Sequence, residues 1–171
     1  MIRVDIETII MASSPVPSVI VLRERSRADG SEAPLRTLSI QTGSFEAAAI
    51  SRGIDGSANA RPITHDLFVD ALQALGAHIE RIEISRVDAP VFYSKIVLVR
   101  RDEDDAVHEV SLDARPSDAI ALAVRCNTPI YVEDDVMNRA GTVSYRTEQT
   151  GSDEEVERFD RFVQTLSPDD F

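Results

Sequence analysis

Two Arg-Pro steps, each followed by a hydroxyl residue and an aspartate, carry the side chains best suited to charge chemistry. They are Arg61-Pro62-Ile63-Thr64-His65-Asp66 and Asp113-Ala114-Arg115-Pro116-Ser117-Asp118. Proline holds φ near the helical value and has no amide donor, so it suits the first helical turn, where that donor would lack a partner. Each step therefore predicts a helix amino terminus at which free backbone amides, a hydroxyl and charged side chains lie together.

The two junctions allow two interpretations. If both helices begin at the same end of a sheet, their arginines, hydroxyls and free amides form a site suited to phosphate. The residues of that site would be Arg61, Arg115, Thr64 and Ser117. In the alternative, each arginine pairs with an acid of its own junction and only fixes the turn. Those pairs would be Arg61 with Asp66, and Arg115 with Asp113 or Asp118.

A divalent-metal nuclease is the chemistry that the nearby carboxylates and imidazole could support. Two or three carboxylates would hold Mg²⁺ or Mn²⁺, which binds a phosphate oxygen and lowers the pKa of the attacking water. His65 would then shuttle the proton. The catalytic candidates are His65, Asp66, Asp113 and Asp118, and the metal-ligand candidates are Glu46, Asp113 and Asp118. The spacing does not require this site, because a histidine in a first helical turn often bonds only solvent or backbone.

Hydrophobic periodicity predicts an α+β fold with a mixed, mostly antiparallel sheet and packed helices. Alternating segments predict an antiparallel meander over residues 2–41, a hairpin around Asp88-Ala89-Pro90, and a strand that ends near Asp113. Helices are predicted to begin near Ser44, Thr64 and Pro116. We expect one domain over residues 1–138, a linker over 139–151 and an acidic amphipathic helix over 152–171.

Four finer expectations follow from the same patterns. The first helix should turn Phe45, Ala48, Ala49 and Arg52 to one side, with Phe45 in a core-like position. Ser117 or Asp113 should cap the third helix, and Thr64 the second. The strand 129–132 should pair in parallel with the strand before that helix, because a helix separates them. The strand containing Ile96 to Val99 should be central in the sheet.

Composition limits the class of protein. The chain has 171 residues and a net charge of −12 at pH 7, which opposes broad binding to a polyanion. No apolar run approaches the roughly 20 residues of a membrane span, so we expect no membrane partner and a cytoplasmic location. Cys126 is the single cysteine and is expected to be a buried, inert thiol.

The segments RPITHDLF (61–68) and LDARPSDAIALA (112–123) resemble the bifunctional nuclease (BFN) domain family of bacteria and plants. Gly43-Ser44-Phe45-Glu46-Ala47 and the closing Ser167-Pro168-Asp169-Asp170-Phe171 are similar to its flanking segments, so the resemblance covers most of the chain. It implies a compact α+β domain with nuclease activity on RNA and DNA. Asp88-Ala89-Pro90 and Ser94 depart from the family pattern, which affects the hairpin more than the site.

Two functions are therefore expected from different classes. The first is a metal-assisted nuclease that acts on single-stranded RNA or DNA in a cleft between the two Arg-Pro junctions. The second is a noncatalytic oligomeric regulatory or protein-interaction module with an acidic surface. A homo-oligomer, most simply a dimer, is expected in both, because the tail helix carries an apolar stripe that needs a groove. The stripe is Val156, Phe159, Phe162, Val163 and Leu166.

Overall fold

The computed structural model describes residues 1–13, 15–25, 34–56, 61–102 and 105–143. The strands are β1 (Ile2–Ile10), β2 (Ser18–Glu24), β3 (Arg36–Thr42), β4 (Ala77–Asp88), β5 (Val91–Arg101), β6 (Val107–Ala114), β7 (Ile130–Val132) and β8 (Thr142–Val143). The helices are α1 (Ser44–Ile54), α2 (Thr64–Ala74), α3 (Pro116–Cys126) and α4 (Asp134–Ala140). The fold is α+β, as predicted. The expected tail helix at 152–171 lies outside the described residues.

The described strands form one sheet in the order β6-β5-β4-β7-β1-β2-β3-β8. β1, β2 and β3 make the predicted antiparallel meander, and β4 and β5 make the predicted hairpin. The core packs side chains of this sheet against apolar side chains of the helices. Its largest fully buried side chains include Ile20, Leu22, Leu38, Ile82 and Ile120. None of the described helices has the length and apolar character needed to cross a membrane.

The predicted position of β7 is wrong. β7 pairs in parallel with β4 and antiparallel with β1, and it makes no pair with β6. β5 lies between β6 and β4 and occupies one edge of each, while α3 packs across β4 and β5. The chain therefore crosses both strands before it re-enters the sheet at the free edge of β4. The helical connection still gives a parallel pair, as the sequence predicted, but with an earlier strand.

The strand that was expected to be central is β5, which lies second from one edge. Its residues Ile96, Val97 and Leu98 are buried, so both faces are covered as the apolar run predicted. β6 covers its outer side and is itself exposed along nearly its whole length. Burial on two faces therefore indicated an inner strand, which is a weaker statement than a central one.

The face that α1 buries is different from the predicted one. Its buried residues are Ala47, Ala49 and Ile50, whereas Phe45 is 88% exposed. The helix is turned so that Ala47 and Ile50, one helical turn apart, face the core. Ala49 belongs to the predicted and the observed face alike, and Phe45 lies outside the core.

The fold continues past residue 138, into the segment expected to be a linker. α4 was not predicted, and it buries Val136 and Met137 under the sheet. After it, β8 adds two residues to the edge of β3. Arg36 of β3 bonds the buried carboxylate of Glu24 and the side chain of Asn138, which holds α4 against the sheet.

Candidate active site at the second Arg-Pro junction

Arg115 joins the amino ends of α1 and α3. It is the residue before α3, and Pro116 occupies the first helical position as predicted. Its Nε and Nη2 donate to the Oδ2 and Oδ1 of Asp118 at 2.8 and 3.1 Å, and its Nη1 donates to Oε1 of Glu46 at 3.2 Å. On the other side of Asp118, His65 Nε2 of α2 lies 3.5 Å from Oδ1. Three helix amino termini thus meet in a cluster of Glu46, His65, Arg115 and Asp118.

This arrangement confirms the predicted pairing of Arg115 with Asp118, and it shifts both pKa values. Partial burial favours the neutral form of Asp118, but the hydrogen bonds and charge of Arg115, with a smaller contribution from His65, hold the pKa of Asp118 below its ordinary value. The hydrogen bond to Asp118 is the main cause that raises the pKa of Arg115. Asp118 is therefore a carboxylate and Arg115 a cation at neutral pH.

An open cleft of about 350 Å³ lies beside this cluster. Glu46, Arg115 and Ser117 line it together with Thr42, Gly43 and the hairpin residues Pro90 to Phe92. His65 and Asp118 do not line this cleft, but Asp118 bonds Arg115, which does. The junction therefore has the concave shape that a substrate site needs, with a guanidinium and a carboxylate on its wall.

Arg115 keeps donors for a further ligand. A guanidinium has five N–H groups, and the bonds to Asp118 and Glu46 use three of them. Its side chain is 65% exposed, so the remaining donors are accessible from the cleft. A phosphate oxygen is the acceptor that such a planar cation binds well.

Asp66 belongs to a different network from its neighbour His65. Its Oδ2 accepts from the backbone N–H of Ile63 at 3.0 Å, and its Oδ1 accepts from Arg125 Nε at 2.6 Å. Arg125 is nearly buried and also donates to the carbonyls of Ala49 and Ala121. The expected pair of Asp66 with Arg61 is therefore not the one that forms, and Asp66 fixes α2 to α1 and α3.

Asp113 does not join the cluster, because strand alternation turns it away. It lies opposite Lys95 on β5, whereas its neighbour Leu112 lies opposite Ile96, which packs in the core below α3. Residues that face each other across antiparallel strands point to the same side, so Asp113 points to the other side of the sheet. Within the described ranges, no group of three His, Cys, Asp or Glu side chains could hold a metal ion. The predicted metal trio of Glu46, Asp113 and Asp118 therefore does not fit as a set.

The other predicted residues take varied places. Ser117 is buried at the start of α3 and lines the cleft. Thr64 is exposed, and the cap of α2 comes from Asp66 instead. Likewise, neither Ser117 nor Asp113 caps α3, which has no side-chain cap. Arg61 is exposed, has no ion pair with any described residue and does not line the cleft beside Arg115, so its role in phosphate binding stays a prediction.

Three residues that shape the site were not among the predicted ones. Ser94 is fully buried and donates its hydroxyl to the carbonyl of Ala114 at 2.7 Å, which fixes the backbone just before Arg115. Gly43 leaves room for the Glu46 carboxylate, with which any Cβ at that position would overlap. Arg125 reaches Asp66 across 59 residues of sequence. The departure of Ser94 from the family pattern could have indicated its role, but no local pattern predicts the contact between Arg125 and Asp66.

Comparison with known proteins defines the class. The family model of the bifunctional nuclease domain matches residues 21–144. An uncharacterized protein of Mycobacterium tuberculosis is 37% identical over 158 residues, which cover 90% of this chain and 87% of that protein. Bifunctional nuclease 2 of Oryza sativa subsp. japonica is 28% identical over 120 residues, which cover 70% of this chain but 34% of the plant protein.

The chain belongs to the bifunctional nuclease domain family. The matched range extends from β2 to the residue after β8, so it contains all four described helices and the whole Arg115 cluster. The chain corresponds to about a third of the length of the rice relative. The resemblance stated from the two Arg-Pro segments is thus confirmed.

Proposed function

We propose that this protein is a nuclease that hydrolyses phosphodiester bonds of RNA or DNA in the cleft beside Arg115. The observation that supports this most directly is the Arg115 fork, which has donors left over and opens on a cleft beside Glu46. Membership of a family whose plant relatives are named bifunctional nucleases supports the reaction class. The net charge of −12 requires that phosphate binding be local, and this one exposed guanidinium supplies a local contact.

In the proposed reaction, Arg115 binds the phosphate and stabilises the negative charge that develops on it. Asp118 accepts two hydrogen bonds from the Arg115 guanidinium and so fixes its orientation. Because Asp118 remains ionised, it positions Arg115 and does not act as an acid. Glu46 is the carboxylate on the cleft wall and could accept a proton from an attacking water. Attack of this water on phosphorus breaks the P–O bond to the leaving nucleotide, whose oxygen then takes a proton. His65 is the proposed shuttle for that proton, and because it does not line the cleft, the leaving strand must extend past Asp118 to reach it.

A role for Mg²⁺ or Mn²⁺ is part of the proposal only in a restricted form. The trio of protein ligands does not converge, so a resident metal site is not proposed. Mg²⁺ commonly binds through one or two carboxylates together with substrate phosphates, and Glu46 is the carboxylate that lines the cleft. The ion would supply a Lewis acid for the phosphate oxygen.

The test is cleavage of labelled single-stranded RNA and DNA by purified protein with Mg²⁺, Mn²⁺ or EDTA. Arg115→Gln should lower the rate by about 100-fold, the order found when one preorganised donor is removed. Arg86→Gln is a matched control, because Arg86 is also an exposed arginine beside an aspartate, at 3.4 Å from Asp88. Asp113→Ala should leave the rate unchanged. Activity that is equal in wild type and Arg115→Gln would assign the cleavage to a contaminant and reject the proposal.

A second candidate function, a self-associating module without catalysis, is supported by a different feature. β6 forms one edge of the described sheet, and Val107, Val110 and Leu112 are exposed on it. An exposed apolar edge strand is a template for pairing with another strand. We propose that β6 pairs with its copy in a dimer, which is compatible with either function. Protein that dimerises but fails the cleavage test would favour the second candidate.

We also propose a cytoplasmic location. Cys126, the single cysteine, is half-buried, and burial raises the pKa of its thiol, with a smaller opposing effect of Arg125. Such a thiol is poorly reactive, and no second cysteine is available for an internal disulfide, so the chain gains nothing from an oxidising compartment. Cell fractionation tests this location.

A further inference from the structure

Phe45 is the most exposed large apolar side chain among the described residues, at 88%. It is the second residue of α1, directly before Glu46, whose carboxylate bonds Arg115. A single exposed apolar residue is ordinary on a protein surface. Packing does not account for Phe45, however, because its ring is almost fully exposed to solvent beside the candidate active site. The pattern of α1 predicted this residue to be buried, so its exposure is a property of the tertiary structure.

The surface around Phe45 is continuous with the active-site cleft. A second, wider depression is lined by Phe45, Ser44, Val16 and the prolines Pro15 and Pro17. It shares Gln41, Thr42 and Gly43 with the cleft that contains Arg115. One groove thus extends from an exposed aromatic ring to an exposed guanidinium. The amino end of α1 itself is not the anion site in this groove, because Glu46 folds over Gly43.

These features are the two elements of a site for single-stranded nucleic acid. Such sites combine cations that hold the backbone with aromatic rings on which bases stack. Every base has a π-face, so stacking is possible with any base, and it does not require a positive charge on the protein. It therefore supplies affinity that a chain with a net charge of −12 cannot obtain from many basic side chains. Inside a duplex the bases are stacked on one another, so a duplex offers such a face only at its two ends.

We propose that Phe45 is a base-stacking platform, and that the substrate is a single strand whose phosphate lies on Arg115 while a neighbouring base stacks on Phe45. This inference rests on the proposed nuclease function and adds a residue that binds the single-stranded substrate outside the Arg115 cluster. Phe45 is a binding residue here, and the bond-breaking groups remain those of the Arg115 cluster. Substitutions at Phe45 should therefore change the affinity for the substrate more than the rate at saturation.

The chain contains no tryptophan, which makes a direct test available. In Phe45→Trp the new indole is the sole tryptophan, and a base stacked on it should quench its fluorescence. The probe is a short single-stranded DNA oligonucleotide in low salt with EDTA, and the duplex of the same sequence is the comparison. Leu75→Trp is the matched control, since Leu75 is 70% exposed at the end of α2 and does not line the groove. We expect saturable quenching of Phe45→Trp by the single strand, much weaker quenching by the duplex, and none in Leu75→Trp.

Affinity gives the second measurement. Phe45→Ala should weaken binding of the same oligonucleotide by about 5- to 150-fold, the range that corresponds to one lost base stack. Because the ring is exposed, Phe45→Ala should keep the thermal unfolding midpoint of the wild type, which shows that the loss is not one of folding. Unquenched Phe45→Trp together with unchanged affinity of Phe45→Ala would overturn the inference even if the wild type cleaves RNA. A shift of Phe45→Ala toward monomer with unchanged affinity would also overturn it, by assigning the ring to an interface between copies.

The two proposals fail separately. Quenching and tight binding without cleavage would keep the stacking site and reject the nuclease. Cleavage that depends on Arg115 but not on Phe45 would keep the nuclease and reject the stacking site.

Discussion

Gly53→Ala is a substitution for which helix propensity and packing predict opposite results. Gly53 lies in α1, where an alanine is favoured over glycine by about 1 kcal/mol because glycine loses more backbone entropy. In this fold, however, α1 approaches α3 closely at that point. A Cβ on Gly53 would lie 2.5 Å from Val124 Cγ2 and 2.9 Å from Arg125 Nη1.

The magnitude follows from what can move. Carbon atoms in contact prefer about 3.5 to 4.0 Å, so the helices must separate by roughly 1 Å or the side chains must turn away. Val124 is stiff because it is β-branched in a helix. Arg125 is held by Asp66 at 2.6 Å and by the Ala121 carbonyl at 2.7 Å. Overpacking of this kind costs about 1–3 kcal/mol, so the net loss after the propensity gain should be about 1 kcal/mol.

Urea unfolding followed by circular dichroism measures this loss, and a double mutant isolates its cause. In a Val124→Ala background the Cγ2 atom is gone, so Gly53→Ala should be less costly than in the wild type. Separation of α1 from α3 should also weaken the Glu46–Arg115 bond and reduce any cleavage activity. A single Gly53→Ala protein that is more stable than the wild type would refute the close-contact reasoning.

Three further predictions concern other parts of the fold. Arg36→Met should lower the free energy of unfolding by about 2 kcal/mol in urea titrations. It removes the 3.1 Å ion pair with Glu24, whose side chain is 4% exposed, and the hydrogen bond to Asn138. A loss near zero would contradict this. The pKa of Asp118 is lower in the folded state than in the unfolded chain. Its ion pair with Arg115 therefore stabilises the fold fully at pH values above the unfolded-state pKa of Asp118, and this stabilisation is lost as pH falls through the folded-state pKa. Asp118→Asn should therefore lose about 0.5 kcal/mol at neutral pH, and this difference should shrink as pH falls through the lowered pKa of Asp118. A constant difference across pH would argue against the pair. If β6 forms the dimer interface, Val110→Lys should shift the mass measured by light scattering toward monomer, whereas Val143→Lys at the opposite sheet edge should not.

Local patterns in the sequence were sufficient for most of the secondary structure. Alternation predicted the meander and the hairpin, and Pro116 with the apolar run after it predicted α3. The pairing of Arg115 with Asp118 was also predictable, because residues three apart on a helix are neighbours. The Arg-Pro segments indicated the family for the same reason, since the residues of each junction are contiguous in the chain.

What the sequence could not determine was which face each element presents and which distant partner it meets. The direction of Asp113 depends on the register of β6 against β5, and a shift of one residue would have turned it to the helix side. Phe45 is exposed because α1 packs on α3 in an orientation that buries Ala47 and Ile50. Asp66 is not part of the Arg115 cluster because it pairs with Arg125, which is distant in sequence but adjacent in the fold. The sequence by itself determined most of the elements and the residues of the Arg115 junction. Tertiary packing decided which acids join that junction and left an aromatic ring beside it, because local periodicity carries no information about long-range contacts.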